Sequence, residues 1–130
     1  MRKETVTVRS SALRATKRPK DRLVDVRALR AKTTLSQEQL AQVLGASWIS
    51  VSRWERHIAQ PSPDAEARLR RLNELVDRID QALPESEVPK FLQTPQPLLR
   101  GYRPIDLLSN EYSFQDLLAF VESAKSGDMA

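Results

Sequence analysis

Between Ser47 and Arg53 the chain reads Ser-Trp-Ile-Ser-Val-Ser-Arg. These side chains suit recognition rather than bond breaking. An Arg53 guanidinium can fork onto the O6 and N7 of guanine, a contact worth about 1–3 kcal/mol of discrimination. Trp48 and Ile49 can touch thymine methyls or the sugar edge. Ser47, Ser50 and Ser52 can reach phosphates, and Ser52 also a base edge. Further back, Gln37 stands where a helix begins. There a backbone N–H and a side-chain amide can both meet a phosphate.

Such contacts need a rigid carrier, and the surrounding residues supply its parts. Ser36 and Gln39 have the spacing of a capping box. Leu35, Leu40, Ala41 and Leu44 give that helix an apolar inner face. Gly45 falls where a helix needs a left-handed residue. Ser47 then caps a third helix from Trp48 to about His57, with Val51, Trp54 and Ile58 on one face. A first helix over 21–32 repeats Leu23, Val26 and Leu29, and Thr33-Thr34 ends it. Two helices joined by so tight a turn make a helix-turn-helix, whose second helix enters the DNA major groove.

A fourth helix follows, from Ser62 as cap and Pro63 as first residue to about Leu83. Its stripe of Leu69, Leu72, Val76, Ile79 and Leu83 is long enough to pack on the first bundle and continue past it. Beyond Pro84 the spacing predicts a short helix from Ser86-Glu87 through Phe91-Leu92 and a loop at Thr94–Pro97. A second short helix, Ile105–Leu108, follows Pro104. A last helix, from about Ser113 to Lys125, carries Phe114, Leu117, Leu118 and Val121 inward with Phe120 alongside. Ser126–Ala130 should fray.

The 130 residues allow one ordinary domain or two small ones, and 40% apolar content allows a modest packed core. Net charge is +4, unevenly spread: +6 over 1–20, +1 over 21–83 and −3 over 84–130. The expected organisation is a basic flexible arm at 1–20, a DNA-binding domain with a long fourth helix at 21–83, and a small helical domain at 84–130. The basic front suits an anionic partner. With no Cys and a single His, His57, there is no disulfide framework and little basis for a transition-metal site. Asp106, Glu111 and Asp116 have the spacing of caps and surface charges, not of an acid/base pair. No nucleophile–base pair, phosphate loop or metal set is visible. The expectation is a protein that is not an enzyme and needs no cofactor. No apolar run reaches the ~18 residues of a membrane span, and the basic front lacks the apolar stretch of a secretory signal, so the expected location is the cytoplasm.

Leu35-Ser36-Gln37-Glu38-Gln39-Leu40-Ala41, then Gly45, then Val51-Ser52-Arg53-Trp54-Glu55 resembles the Xre family of phage-repressor-like helix-turn-helix proteins over about residues 22–72. The resemblance implies DNA contacts at Gln37, Trp48, Ile49, Ser52 and Arg53. It also implies an ion pair between Arg30 and Glu55 that braces the recognition helix from behind.

A second resemblance covers the other end. Phe91-Leu92, Pro95-Gln96-Pro97-Leu98 and Gly101-Tyr102-Arg103-Pro104-Ile105-Asp106-Leu107-Leu108 are similar to the toxin-binding domain of Xre/MbcA/ParS-type antitoxins. Phe91 stands where that family usually has Trp, and Gln96 where it usually has Asn. The resemblance implies an all-α antitoxin: a helix-turn-helix bundle, a long connecting helix and a small C-terminal helical domain. It further implies a homodimer that binds double-stranded operator DNA, represses its own operon and blocks a protein toxin, usually a RES-domain, NAD-consuming one. Toxin binding or dimerisation would fall to Phe91, Gly101, Arg103, Pro104, Leu107, Leu108, Tyr112 and Phe114. The alternative is a stand-alone phage-type repressor whose C-terminal domain only dimerises.

Overall fold

The structure, a computed structural model, describes residues 24–125. The expected basic arm, the start of the first helix at 21–23 and the end from 126 lie outside the described residues. Among those described there are helices and turns but no strand, an all-α architecture. Among the described residues no helix is long and apolar enough to cross a membrane.

Helix α1 spans Val26–Thr33. It starts later than the apolar spacing predicts because Asp25 caps it, accepting from the Ala28 N–H at 3.1 Å. Thr34 ends it in the left-handed region at φ 57°. Thr33, buried, has its hydroxyl bonded both to the Arg30 carbonyl at 2.8 Å and to the Leu35 N–H at 3.3 Å. That closes the turn into α2, Gln37–Leu44. The Ser36 capping box is complete: the Gln39 N–H donates to Ser36 Oγ at 3.0 Å, and the Ser36 N–H to Gln39 Oε1 at 2.9 Å. Gly45 takes φ 67°, a conformation a Cβ would disfavour.

Helix α3 runs Trp48–Glu55, capped by Ser47. It stops two residues short of the expected end, because His57 turns left-handed at φ 60°. The His57 N–H then donates to Trp54 O at 3.1 Å and the Ile58 N–H to Arg53 O at 2.9 Å, a pattern that terminates a helix. Ile58 is therefore not on the inner face with Val51 and Trp54. The reversal sends it into solvent, 62% exposed.

Helix α4, Pro63–Ala82, is the spine. Ser62 caps it, accepting from the Ala65 N–H at 3.2 Å. Leu69, Leu72, Val76 and Ile79 are buried as the spacing predicts, and Leu75 joins them. Its arginines show what each length touches. Arg68 donates to the Val43 carbonyl of α2 at 3.2 Å. Arg71 donates to the Leu108 carbonyl at 2.8 Å. Arg78 lies 3.5 Å from Glu122 of the last helix.

After a single 3-10 turn at Glu85–Glu87 comes α5, Val88–Gln93. Ser86 and Glu87, expected to start this helix, lie in the 3-10 turn before it. Two more 3-10 turns, Pro97–Leu99 and Pro104–Leu107, each open on a proline. Helix α6 spans Glu111–Lys125. It begins before Ser113 because Asn110 is the cap, its Oδ1 accepting from the Ser113 N–H at 2.9 Å. Phe114, Leu117, Leu118, Phe120 and Val121 are all buried. Helix α5 packs back against α1. One apolar core thus runs unbroken from Val26 to Val121.

Candidate functional site

Behind α3 lies a partly buried polar network. Arg30 Nε donates to Glu55 Oε2 at 2.5 Å and Nη2 to Oε1 at 3.2 Å. Arg30 Nη1 also donates to the Leu35 carbonyl at 3.2 Å. Glu55 is 7% exposed. The Arg30 hydrogen bonds hold its carboxyl below the usual carboxylate range, against burial, and Gln37 adds to the effect. Arg30 is in turn held more firmly charged. One forked cation therefore joins α1, the turn before α2 and the end of α3.

Gln37 differs from its expected role. Its Nε2 donates to Glu55 Oε1 at 3.1 Å, so its amide faces the network. The two serines at the start of α3 bond each other at the surface. Ser47 Oγ accepts from the Ser50 N–H at 3.1 Å and donates to Ser50 Oγ at 3.1 Å. The Ser47 hydroxyl thus serves the cap, while Ser50 Oγ only accepts and keeps its own proton to donate.

What α3 presents outward is Trp48 (50% exposed), Ile49 (47%) and Arg53, with Ser52 half-buried among them. The Arg53 guanidinium has no hydrogen bond or ion pair to a described residue. Its opposite face, Val51 and Trp54, is in the core. The result is a short rigid rod, pinned from behind and capped at its start, carrying two apolar groups and a forked cation towards solvent.

The second candidate surface lies around Gly101. Arg100 and Gly101 are consecutive left-handed residues, at φ 61° and 82°. The loop closes on itself: the Gly101 N–H donates to Gln96 O at 2.8 Å and the Gln96 N–H to Tyr102 O at 3.1 Å. Arg103 staples the next turn. Its Nε and Nη2 donate to Asp106 Oδ2 and Oδ1 at 3.0 and 2.8 Å, and its Nη1 to Gln93 Oε1 at 2.7 Å. The Arg103 hydrogen bonds lower the Asp106 carboxyl below its ordinary range.

Several residues expected to contact a partner here are instead interior. Pro104, Leu108 and Phe114 are buried, Leu107 is half-buried, and Phe91 stacks on Phe120 with ring centroids 6.0 Å apart. Pro104, Leu108 and Phe114 thus shape the unit from inside, while Leu107 and Phe91 keep part of their surface exposed. Tyr112 is different, 88% exposed at the start of α6. Two exposed apolar residues were missed in sequence, Leu98 (74%) and Tyr102 (53%). A groove of about 560 Å³ runs past Leu98, Tyr102, Leu107, Asp116 and Phe120. The available signal was the pair Leu98-Leu99 straight after Pro97: in a tight turn only one of the two can face inward, and Leu99 does.

The chain is similar to a chain of the M. tuberculosis MbcT–MbcA toxin–antitoxin complex, known from a crystal structure. The TM-score is 0.68 at 25% identity, over 82% of this chain and 95% of that one. No family model matches this sequence, and no curated protein matches it.

Proposed function

We propose that this chain is the antitoxin of a type II toxin–antitoxin pair. In this proposal it neutralises a protein toxin by direct binding and binds operator DNA to repress its own operon. The observation that carries it is the likeness to a chain of a toxin–antitoxin complex over 82% of the residues. Two surfaces support a division of labour. Helix α3 carries DNA, with Arg53 on a guanine edge and the backbone N–H groups at the starts of α2 and α3 on phosphates. The face carrying Leu98, Tyr102 and Tyr112 carries the toxin, for which a RES-type, NAD-consuming protein is the favoured class. A homodimer would place two α3 helices on two half-sites, about 34–36 Å apart along the duplex.

The mechanism against the toxin is occlusion, requiring no bond chemistry from this chain. On the DNA side, Arg30 and Gln37 act as positioning residues through Glu55, holding α3 at a fixed angle. The test is co-expression with the protein encoded beside this gene. That protein alone should arrest growth, co-expression should restore it, and the two should co-purify. A neighbour that is harmless alone would favour the stand-alone repressor instead.

A further inference from the structure

The outward face of α3 is unusual in its order. Its first turn presents Trp48 and Ile49, both about half exposed, and Arg53 follows in the next turn. Neither apolar side chain serves the core, which Val51 and Trp54 already fill from the other face. The acid on this helix, Glu55, is buried and neutralised by Arg30. Arg53 and Arg56 leave the exposed face cationic, complementary to a polyanion. The apolar feature available in a DNA major groove is the C5-methyl group of thymine.

We infer that the start of α3 selects thymine methyls and its second turn selects guanine, so that the half-site carries a T-rich step beside a G. This rests on the DNA-binding function proposed above and adds the class of sequence it would take. The spacing follows from helix geometry. Ile49 and Arg53 are four residues apart and lie on one face. At ~1.5 Å per residue that is ~6 Å along α3, or about two base-pair steps at ~3.4 Å each. Ser52, half-buried between them, is too short to compete with Arg53 for a base edge. The hydroxyls of Ser47 and Ser50 bond each other within the cap, and neither is long enough to displace Trp48 and Ile49 from the methyls.

The test begins with selection of binding sites from random double-stranded DNA by the full chain. Each thymine of the selected half-site is then replaced by deoxyuridine, which removes only the methyl group. Burying one methyl is worth ~0.8 kcal/mol, or about fourfold in affinity. Two uracils opposite Trp48 and Ile49 should therefore weaken binding about fifteenfold in the wild-type chain. In the W48A/I49A double variant the same replacement should have no effect, while the preference for G persists. The inference is overturned by selected sites without thymine within about two base pairs of the G, by uracil substitution that leaves binding unchanged, or by equal loss in wild type and double variant. Absence of any selected sequence would instead remove the DNA-binding proposal itself. Retained DNA specificity in W48A/I49A, combined with loss of toxin binding, would reassign the apolar pair to a protein partner.

Discussion

Glu55 and Arg30 form a forked ion pair at the back of the exposed helix, with Arg30 Nε 2.5 Å from the carboxylate. The acid is nearly dry and the arginine partly wet, at 2% and 27% side-chain exposure. Removing the cation strands a buried charge. Arg30→Ala should therefore destabilise the chain by about 3 kcal/mol, read from the denaturant midpoint. Gln37→Ala leaves the pair intact and should cost about 1 kcal/mol. Equal effects from the two would mean that the ion pair is not the dominant contact.

The same geometry fixes an acid limb. The Glu55 and Asp106 carboxyls are both lowered by their arginine partners. A carboxylate with a lowered folded pKa contributes stability that is fully present above its unfolded value, about 4.3 for Glu and 3.9 for Asp. That contribution is lost as pH falls through the folded value. The stabilising contribution of these two groups should thus be constant over about pH 6–8 and decline below about pH 4. Glu55→Gln should lower stability at neutral pH and flatten the acid limb. A limb of unchanged steepness in Glu55→Gln would assign acid unfolding to other groups.

Leu72, fully buried on α4, sits in a core that continues from α1 to α6. Leu72→Ala should cost about 2–5 kcal/mol. Because α5 packs on α1, unfolding should be one transition, with Trp fluorescence and helical circular dichroism coincident. Two separated transitions would show that the halves unfold independently. For the same reason, deleting residues from 86 onward would strip α5 from the core, so point variants are the sounder probe of the C-terminal surface.

Much of this fold was legible because its punctuation is local. Ser36, Ser47 and Ser62 each cap the helix they precede, and Gly45 ends α2, all within a few residues of sequence. The Arg30–Glu55 pair spans 25 positions and came from resemblance, since no local pattern joins those residues. What was missed depended on backbone reversals and shared polar groups. Ile58 keeps helical spacing with Val51 and Trp54, yet the left-handed His57 turns it out. Gln37 is a good phosphate ligand by type, but Glu55 accepts from it first. Leu108 lies in a motif associated with partners and Phe114 follows it, yet both serve the interior, while Leu98 and Tyr102 became visible as surface only once the loop at Gly101 was in place.

Arg53→Ala should leave stability within about 0.5 kcal/mol, since the side chain is exposed and unpaired to the described residues. Operator affinity should fall by about 1–3 kcal/mol while binding to unrelated DNA falls less. Parallel loss on both would reduce Arg53 to a phosphate contact.

Growth of cells co-expressing the neighbouring gene product is the most direct test of the antitoxin assignment. Three forms of this chain are compared: wild type, Tyr112→Glu and Arg53→Ala. Tyr112 is 88% exposed, so its substitution spares the fold. The expected result is rescue by wild type and by Arg53→Ala, with rescue weakened or lost in Tyr112→Glu. A neighbour that arrests growth equally with and without the wild-type chain would contradict neutralisation by this protein.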